Sequence, residues 1–182
     1  MVNPFELLGL PSTFAVDPEL LEQRQRELNR ALHPDRHSGK TPAERREALG
    51  RSMDVNQAYR TLRDPASRAE ALFELLGTNS LSERTVTDPT LLGEMLEQRE
   101  LLDEIRRNKN TAQLAELKQR MLVREASLVV EMTRAFEPLT ATLDCRKSAI
   151  ERPQLASARR LLTELRYVRR FAEEVAAIED EM

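Results

Sequence analysis

Cysteine is almost missing: Cys145 is the only one in 182 residues. That excludes an internal disulfide framework and any multi-cysteine zinc or iron–sulfur site carried by this chain alone. Tryptophan is absent, aromatics make up 4%, and glycine occurs five times. So little of either argues against a sandwich or barrel of short strands and tight turns. No stretch approaches the ~18 uncharged apolar residues of a membrane span. No basic residue precedes Arg24, so a secretory signal peptide is not expected. An excess of positive charge is missing too: Lys+Arg 28 stand against Asp+Glu 31, a net charge of -3. That balance argues against nucleic acid as the main partner. The expected setting is a reducing cytoplasm.

What is present reads as helix. Charged residues reach 32% and hydrophobic ones 40%, the mixture of amphipathic helices with solvated outer faces. Nine prolines are placed informatively. Asn3-Pro4, Asp17-Pro18, Thr41-Pro42, Asp64-Pro65 and Asp88-Pro89 each put proline after a residue able to cap a helix. A capping oxygen satisfies a free amide of the first turn, and proline there has no amide to lose and a preset φ. Helices are therefore expected from 4, 18, 42, 65 and 89, with Pro153 opening another. Thr41 and Glu44 fit a capping box. Apolar positions then recur at helical spacing: Leu21, Leu28, Ala31 and Leu32; Ala48, Ser52, Val55, Tyr59 and Leu62. Gly77 is placed to end the fourth helix. Residues 78–87 are polar and aperiodic, a linker. Pro138 is expected to kink or end the long helix that begins near 110. No segment alternates like a strand. The fold class is all-α, with units at 1–77 and 88–182.

Both histidines fall in one turn, His33-Pro34-Asp35-Arg36-His37. A plain proline-broken turn between two helices is one reading. Two histidines and a carboxylate could also supply three metal ligands, but no further His or Cys lies nearby to complete a shell. A His–Asp acid/base pair would lack a nucleophile and an oxyanion hole. A recognition turn is the remaining reading. Residues 20–46 carry seven basic side chains against four acidic ones, a local excess able to steer onto an acidic partner, or simply a solvated helix face.

The context resembles a J-domain. Residues 3–10 read Asn-Pro-Phe-Glu-Leu-Leu-Gly-Leu; then come a helix with Arg24, Arg26 and Arg30, the His33-Pro34-Asp35 tripeptide, and Asn56-Gln57-Ala58-Tyr59 leading to Asp64-Pro65. J-domains are co-chaperone modules that stimulate the ATPase of a DnaK/HscA-type chaperone. The resemblance covers residues 3 to about 76. It implies an antiparallel helical hairpin with short flanking helices, and a chaperone contact at His33, Pro34, Asp35, Arg24, Arg26 and Arg30, with Asp35 indispensable. His37 stands where an aromatic is common and Leu32 where tyrosine is usual.

In the second half, residues 89–107 form an amphipathic helix. At 100° per residue, Leu91, Met95, Leu101, Leu102 and Ile105 make the core stripe. Leu92 and Leu96 fall off it, beside Glu97, Glu100 and Glu104. Two readings remain: a docking patch with an apolar centre and a charged rim, or a cover for a neighbouring helix or the linker. In the last helix Leu161, Leu165, Val168, Ala172 and Val175 form the stripe and Tyr167 lies opposite.

Residues 88–104, with Glu164-Leu165-Arg166-Tyr167, resemble the HscB family, J-domain co-chaperones that bring the iron–sulfur scaffold IscU to its chaperone. The resemblance implies a C-terminal three-helix bundle and scaffold binding through Leu92, Leu96, Glu97, Glu100, Glu104 and Tyr167. It implies no catalysis, no cofactor, no metal and no membrane. Gly93 replaces a large apolar residue common in that family, which makes the patch shallower. Residues 138–152 are longer than usual there, so extra helix or a longer connection is expected.

Overall fold

The computed structural model describes residues 2–33, 39, 41–78, 89–144 and 152–181. Seven helices are present: α1 (Pro4–Leu8), α2 (Pro18–Ala31), α3 (Pro42–Arg63), α4 (Pro65–Leu75), α5 (Pro89–Asn108), α6 (Thr111–Asp144) and α7 (Arg152–Glu181). There is no strand among the described residues. The architecture is all-α.

The proline–cap pairs set the starts. All five helices read from them begin on the proline. Asn3 Oδ1 accepts from the Phe5 amide at 3.0 Å, Asp17 Oδ1 from Glu19 at 2.9 Å, and Asp64 Oδ1 from Ser67 at 2.8 Å. At Thr41 the capping box closes: the Glu44 amide donates to Thr41 Oγ1, and the Thr41 amide to Glu44 Oε2 at 2.8 Å. Glycine ends two helices in the left-handed conformation, Gly9 at φ 64 and Gly77 at φ 68. At the turn between α5 and α6, Lys109 takes that role at φ 50. The Asn110 amide there donates back to the Ile105 carbonyl at 3.1 Å, and Asn110 Oδ1 caps α6.

By contacts the chain forms two compact units. The first comprises Met1–Asn79 with Phe136–Ser148, and the second Ser80–Ala135 with Ala149–Met182. The sequence reading divided the chain in order, at a linker over 78–87; residues 79–88 lie outside the described residues.

In the first unit α2 and α3 pair as a hairpin, with α1 and α4 packed on α3. Val55, Ala58 and Leu62 of α3 are buried with Phe5, Leu8 and Leu72. Near the middle of the hairpin the seam is polar. Gln25 and Asn29 both donate to Asn56 Oδ1 at 3.0 Å, and Ser52 donates to Asn29 at 3.2 Å. Ala31, expected on the inner stripe of α2, is exposed.

Phe136, at the far end of α6, completes this core. Its ring stacks on Phe14 at 5.3 Å and meets Phe73 edge-on at 5.2 Å. Arg68 covers the stack, its guanidinium 4.6 Å from the Phe14 ring centre and donating to the Leu62 carbonyl at 2.9 Å. Burial holds this guanidinium below its ordinary pKa, with nearby Asp64 opposing.

Pro138 does not end α6, which continues to Asp144. A proline inside a helix costs about 3 kcal/mol. Burying Phe136 and Leu139 completely offsets that, at about 2 kcal/mol or more per large apolar side chain. Thr140 adds hydroxyl bonds to the Phe136 and Glu137 carbonyls at 2.9 and 3.2 Å. Extra helix is therefore present through Asp144; residues 145–151 lie outside the described residues.

The second unit is a three-helix bundle of α5, the first part of α6, and α7. Leu91, Leu102 and Ile105 face its core with Leu114, Leu128, Leu165, Val168 and Val175. The stripe read for α7 was too narrow: Leu162 and Phe171 are buried, while Leu161 and Ala172 are half-buried. A helix that packs against two neighbours buries a wider arc than a single stripe.

Candidate functional site

Two surfaces carry the residues singled out in the sequence. On the first unit, α2 presents Arg24, Arg26 and Arg30, all exposed. Arg24 pairs with Glu27 at 3.4 Å and Arg26 with Glu22 at 3.5 Å. Such exposed pairs along one helix are weak, so an acidic partner can displace the glutamates at little cost. The polar seam behind them fixes the register of α2 on α3. His33 follows the end of α2 and is exposed. Pro34 and Asp35 lie outside the described residues.

On the second unit, α5 turns a different face outward from its core. Leu92 is 45% exposed and Leu96 56%, while Leu91, one residue away, is buried. Leu92 and Leu96 are one turn apart and form a continuous apolar strip. Glu97, Glu100 and Glu104 are exposed beside it. Farther along α5 an open depression is lined by Glu97, Glu100, Leu101, Asp103, Glu104, Arg106 and Arg107. The sequence reading did not include Asp103; its position one residue from Glu104, at the helix edge, was the available signal.

Tyr167 sits on α7 at the seam with α5. Its hydroxyl donates to the Met95 carbonyl at 3.0 Å and its ring stacks on Phe171 at 5.7 Å. Burial raises the phenol above its ordinary value; Glu174 adds to this and Arg99 opposes it. Arg99 and Glu174 bridge the same two helices at 3.2 Å. Tyr167 is therefore tied to the turn of α5 that carries Leu92 and Leu96. Spaced opposite the α7 stripe, it faces α5 because the core arc is broad.

A second brace joins α6 and α7. Arg124 Nε donates to Glu164 at 2.7 Å and its Nη1 to Glu131 at 2.8 Å. Burial alone would lower this guanidinium, but the two carboxylates outweigh it and hold it above its ordinary value. Glu164 itself is buried, so this charge is structural rather than available to a partner.

The described residues contain no group of three His, Cys, Asp or Glu placed to hold a metal ion. No helix among them is long and apolar enough to cross a membrane. What both surfaces offer is shape and charge for macromolecules.

Comparison with known proteins gives this arrangement its place. Residues 87–176 match the family model described as the HSCB C-terminal oligomerisation domain. A co-chaperone protein HscB homolog of Bordetella petrii is 37% identical over 174 residues, covering 95% of this chain and 94% of the relative. A homolog of the same description from Haemophilus influenzae is 31% identical, covering 99% and 97%. Among solved structures, human co-chaperone protein HscB aligns with TM-score 0.78 at 27% identity, over 96% of this chain and 80% of that one. Chaperone HscB from Vibrio cholerae aligns with TM-score 0.75 at 26% identity, over 99% of each. With both halves matched in order along nearly its whole length, this chain, a J-domain followed by a C-terminal helical domain, belongs to the HscB family of co-chaperones.

Proposed function

We propose that this protein is a non-enzymatic adaptor that stimulates the ATPase of a DnaK/HscA-type chaperone and delivers the iron–sulfur scaffold IscU to it during cluster assembly. The J-domain turn at His33, Pro34 and Asp35, with Arg24, Arg26 and Arg30 on α2, engages the chaperone. The strip of Leu92 and Leu96, with Glu97, Glu100, Glu104 and the brace Tyr167, receives the scaffold.

The observation that carries this reading is the outward Leu92–Leu96 pair. Two large apolar side chains half-exposed on a helix that already has a complete buried face have no role in the bundle core. An apolar centre rimmed by carboxylates is the build of a small protein-docking patch. Holding both partners at once raises the local concentration of scaffold at the chaperone while hydrolysis is triggered. The setting for this work is the cytoplasm.

The test is to follow chaperone ATPase and scaffold binding in the same titration. ATPase stimulation that rises further with scaffold, together with direct scaffold binding, supports the reading. Stimulation without scaffold binding favours a second reading, a J-protein that delivers another client.

A further inference from the structure

A groove of about 520 Å³ runs between α6 and α7, and none of its lining residues belongs to α5. Helix α6 lines it with Arg124, Glu131 and Arg134, and α7 with Ser157, Arg160 and Glu164. Arg124 and Glu131 are two turns apart, as are Ser157 and Glu164, so each set lies along one face of its helix. Sites for small molecules run from roughly 300 to 1,000 Å³, and this groove falls inside that range.

Its carboxylates are already engaged. Glu164 Oε1 accepts from Arg124 Nε at 2.7 Å. Glu131 Oε1 accepts from Arg124 Nη1 at 2.8 Å and from the Ser127 hydroxyl at 3.0 Å. One arginine thus holds both acceptors against one wall. Arg134 is exposed and makes no ion pair among the described residues, although Glu131 and Glu137 flank it one turn away on its own helix. Ser157 and Arg160 are exposed on α7. Three arginines against two glutamates leave the lining net positive. What this lining offers a ligand is guanidinium forks, which only donate, and a hydroxyl.

We propose that the α6–α7 groove binds a phosphate monoester, with Arg134 and Arg160 on the phosphate and the Ser157 hydroxyl as a further donor. A guanidinium fork meets two oxygens at once. A phosphate monoester presents three terminal oxygens and close to two negative charges at neutral pH, so forks from two helices can share it. A carboxylate, with two oxygens and one charge, is the poorer match. The groove is larger than a phosphate group, and half-buried Ala135 and Leu161 give the rest of the ester an apolar wall. The Arg124 brace sets the spacing of α6 and α7 before any ligand arrives, which lowers the ordering that binding requires. The Leu92–Leu96 patch on α5 takes no part in this site.

The experiment follows backbone amide signals of the chain by NMR while phenyl phosphate, inorganic phosphate or benzoate is added at constant ionic strength, across roughly 0.1 to 20 mM, where weak sites saturate. Phenyl phosphate should give saturable shifts centred on residues 131–135 and 157–161, with inorganic phosphate weaker for want of the apolar body and benzoate weaker for want of charge. Arg134→Gln and Arg160→Gln should each weaken phenyl phosphate roughly tenfold or more, the loss expected when a charge-assisted bond goes. Both side chains are exposed, so the variants keep the bundle. Arg120→Gln, an exposed arginine of α6 outside the groove, should change the affinity by no more than about twofold. Shifts that never saturate, or that sodium chloride reproduces, would overturn the proposal. So would benzoate binding as tightly as phenyl phosphate, an unchanged affinity in Arg134→Gln, or an equal loss in Arg120→Gln.

Discussion

Replacing Leu92 and Leu96 together by alanine removes the apolar centre of the α5 patch and leaves its carboxylate rim. Full burial of a leucine side chain contributes about 1.5–3 kcal/mol. Only the exposed part can be newly covered by a partner: 45% of Leu92 and 56% of Leu96. The pair is therefore worth about 1.5–3 kcal/mol of binding, since the two exposed fractions sum to about one leucine. At 1.4 kcal/mol per factor of ten, that weakens scaffold binding by roughly 10- to 150-fold. The assay is isothermal titration of an IscU-type scaffold into the wild-type chain and the double variant at one salt concentration. Melting followed by circular dichroism is the control; the midpoint should fall, because the covered half of each side chain is lost as well, but the transition should stay cooperative, since alanine suits a helix at least as well as leucine. Gly93→Met provides the converse, since a side chain added there meets open space and lengthens the apolar strip. Binding by the double variant within threefold of wild type would refute the assignment of this face.

Other perturbations test the architecture around the two surfaces. Phe136→Ala empties a fully buried site between Phe14 and Phe73 and should cost about 3–5 kcal/mol, read as a lowered urea midpoint; a change under 1 kcal/mol would mean that the end of α6 does not complete the first core. Lys109→Gly relieves a left-handed conformation at φ 50 and should add about 1 kcal/mol of stability, visible as a raised melting temperature. Tyr167→Phe removes the bond to the Met95 carbonyl, a loss of about 1 kcal/mol. The Tyr167 phenol is raised in the folded state, so it holds its proton more tightly there than when unfolded. Its contribution is fully present below 10.0, the ordinary value, and is lost as pH rises through the folded value above that. Urea midpoints measured up the alkaline limb should therefore fall more steeply for wild type than for Tyr167→Phe.

The starts of the helices were legible because capping and proline act within one turn, and nothing distant can change what an Asp-Pro or Thr-Pro pair does to the backbone. Lys109 was not legible, since a left-handed lysine leaves no mark of the kind glycine leaves at Gly9 and Gly77. Pro138, expected to kink or end α6, does not end it, and the reason is Phe136. Its packing on Phe14 and Phe73 is a long-range fact, and it lets the helix run past Pro138 against local preference. The polar seam of Gln25, Asn29, Ser52 and Asn56 was hidden because apolar periodicity does not register amide–amide pairing. On α5 the wheel separated Leu92 and Leu96 from the core without help from any neighbour, since a helix that buries one face must expose the opposite one. Tyr167 shows the limit of that device: its angle on α7 was readable, but the partner it reaches on α5 was not.

The central claim is that the turn after α2 triggers a chaperone while α5 holds the cargo. Steady-state ATPase of a DnaK/HscA-type chaperone, measured with the wild-type chain and with Asp35→Asn, each with and without scaffold, tests it most directly. The account predicts that wild type stimulates hydrolysis, that scaffold increases the stimulation, and that Asp35→Asn abolishes it while still binding scaffold. Stimulation by Asp35→Asn equal to wild type would contradict it.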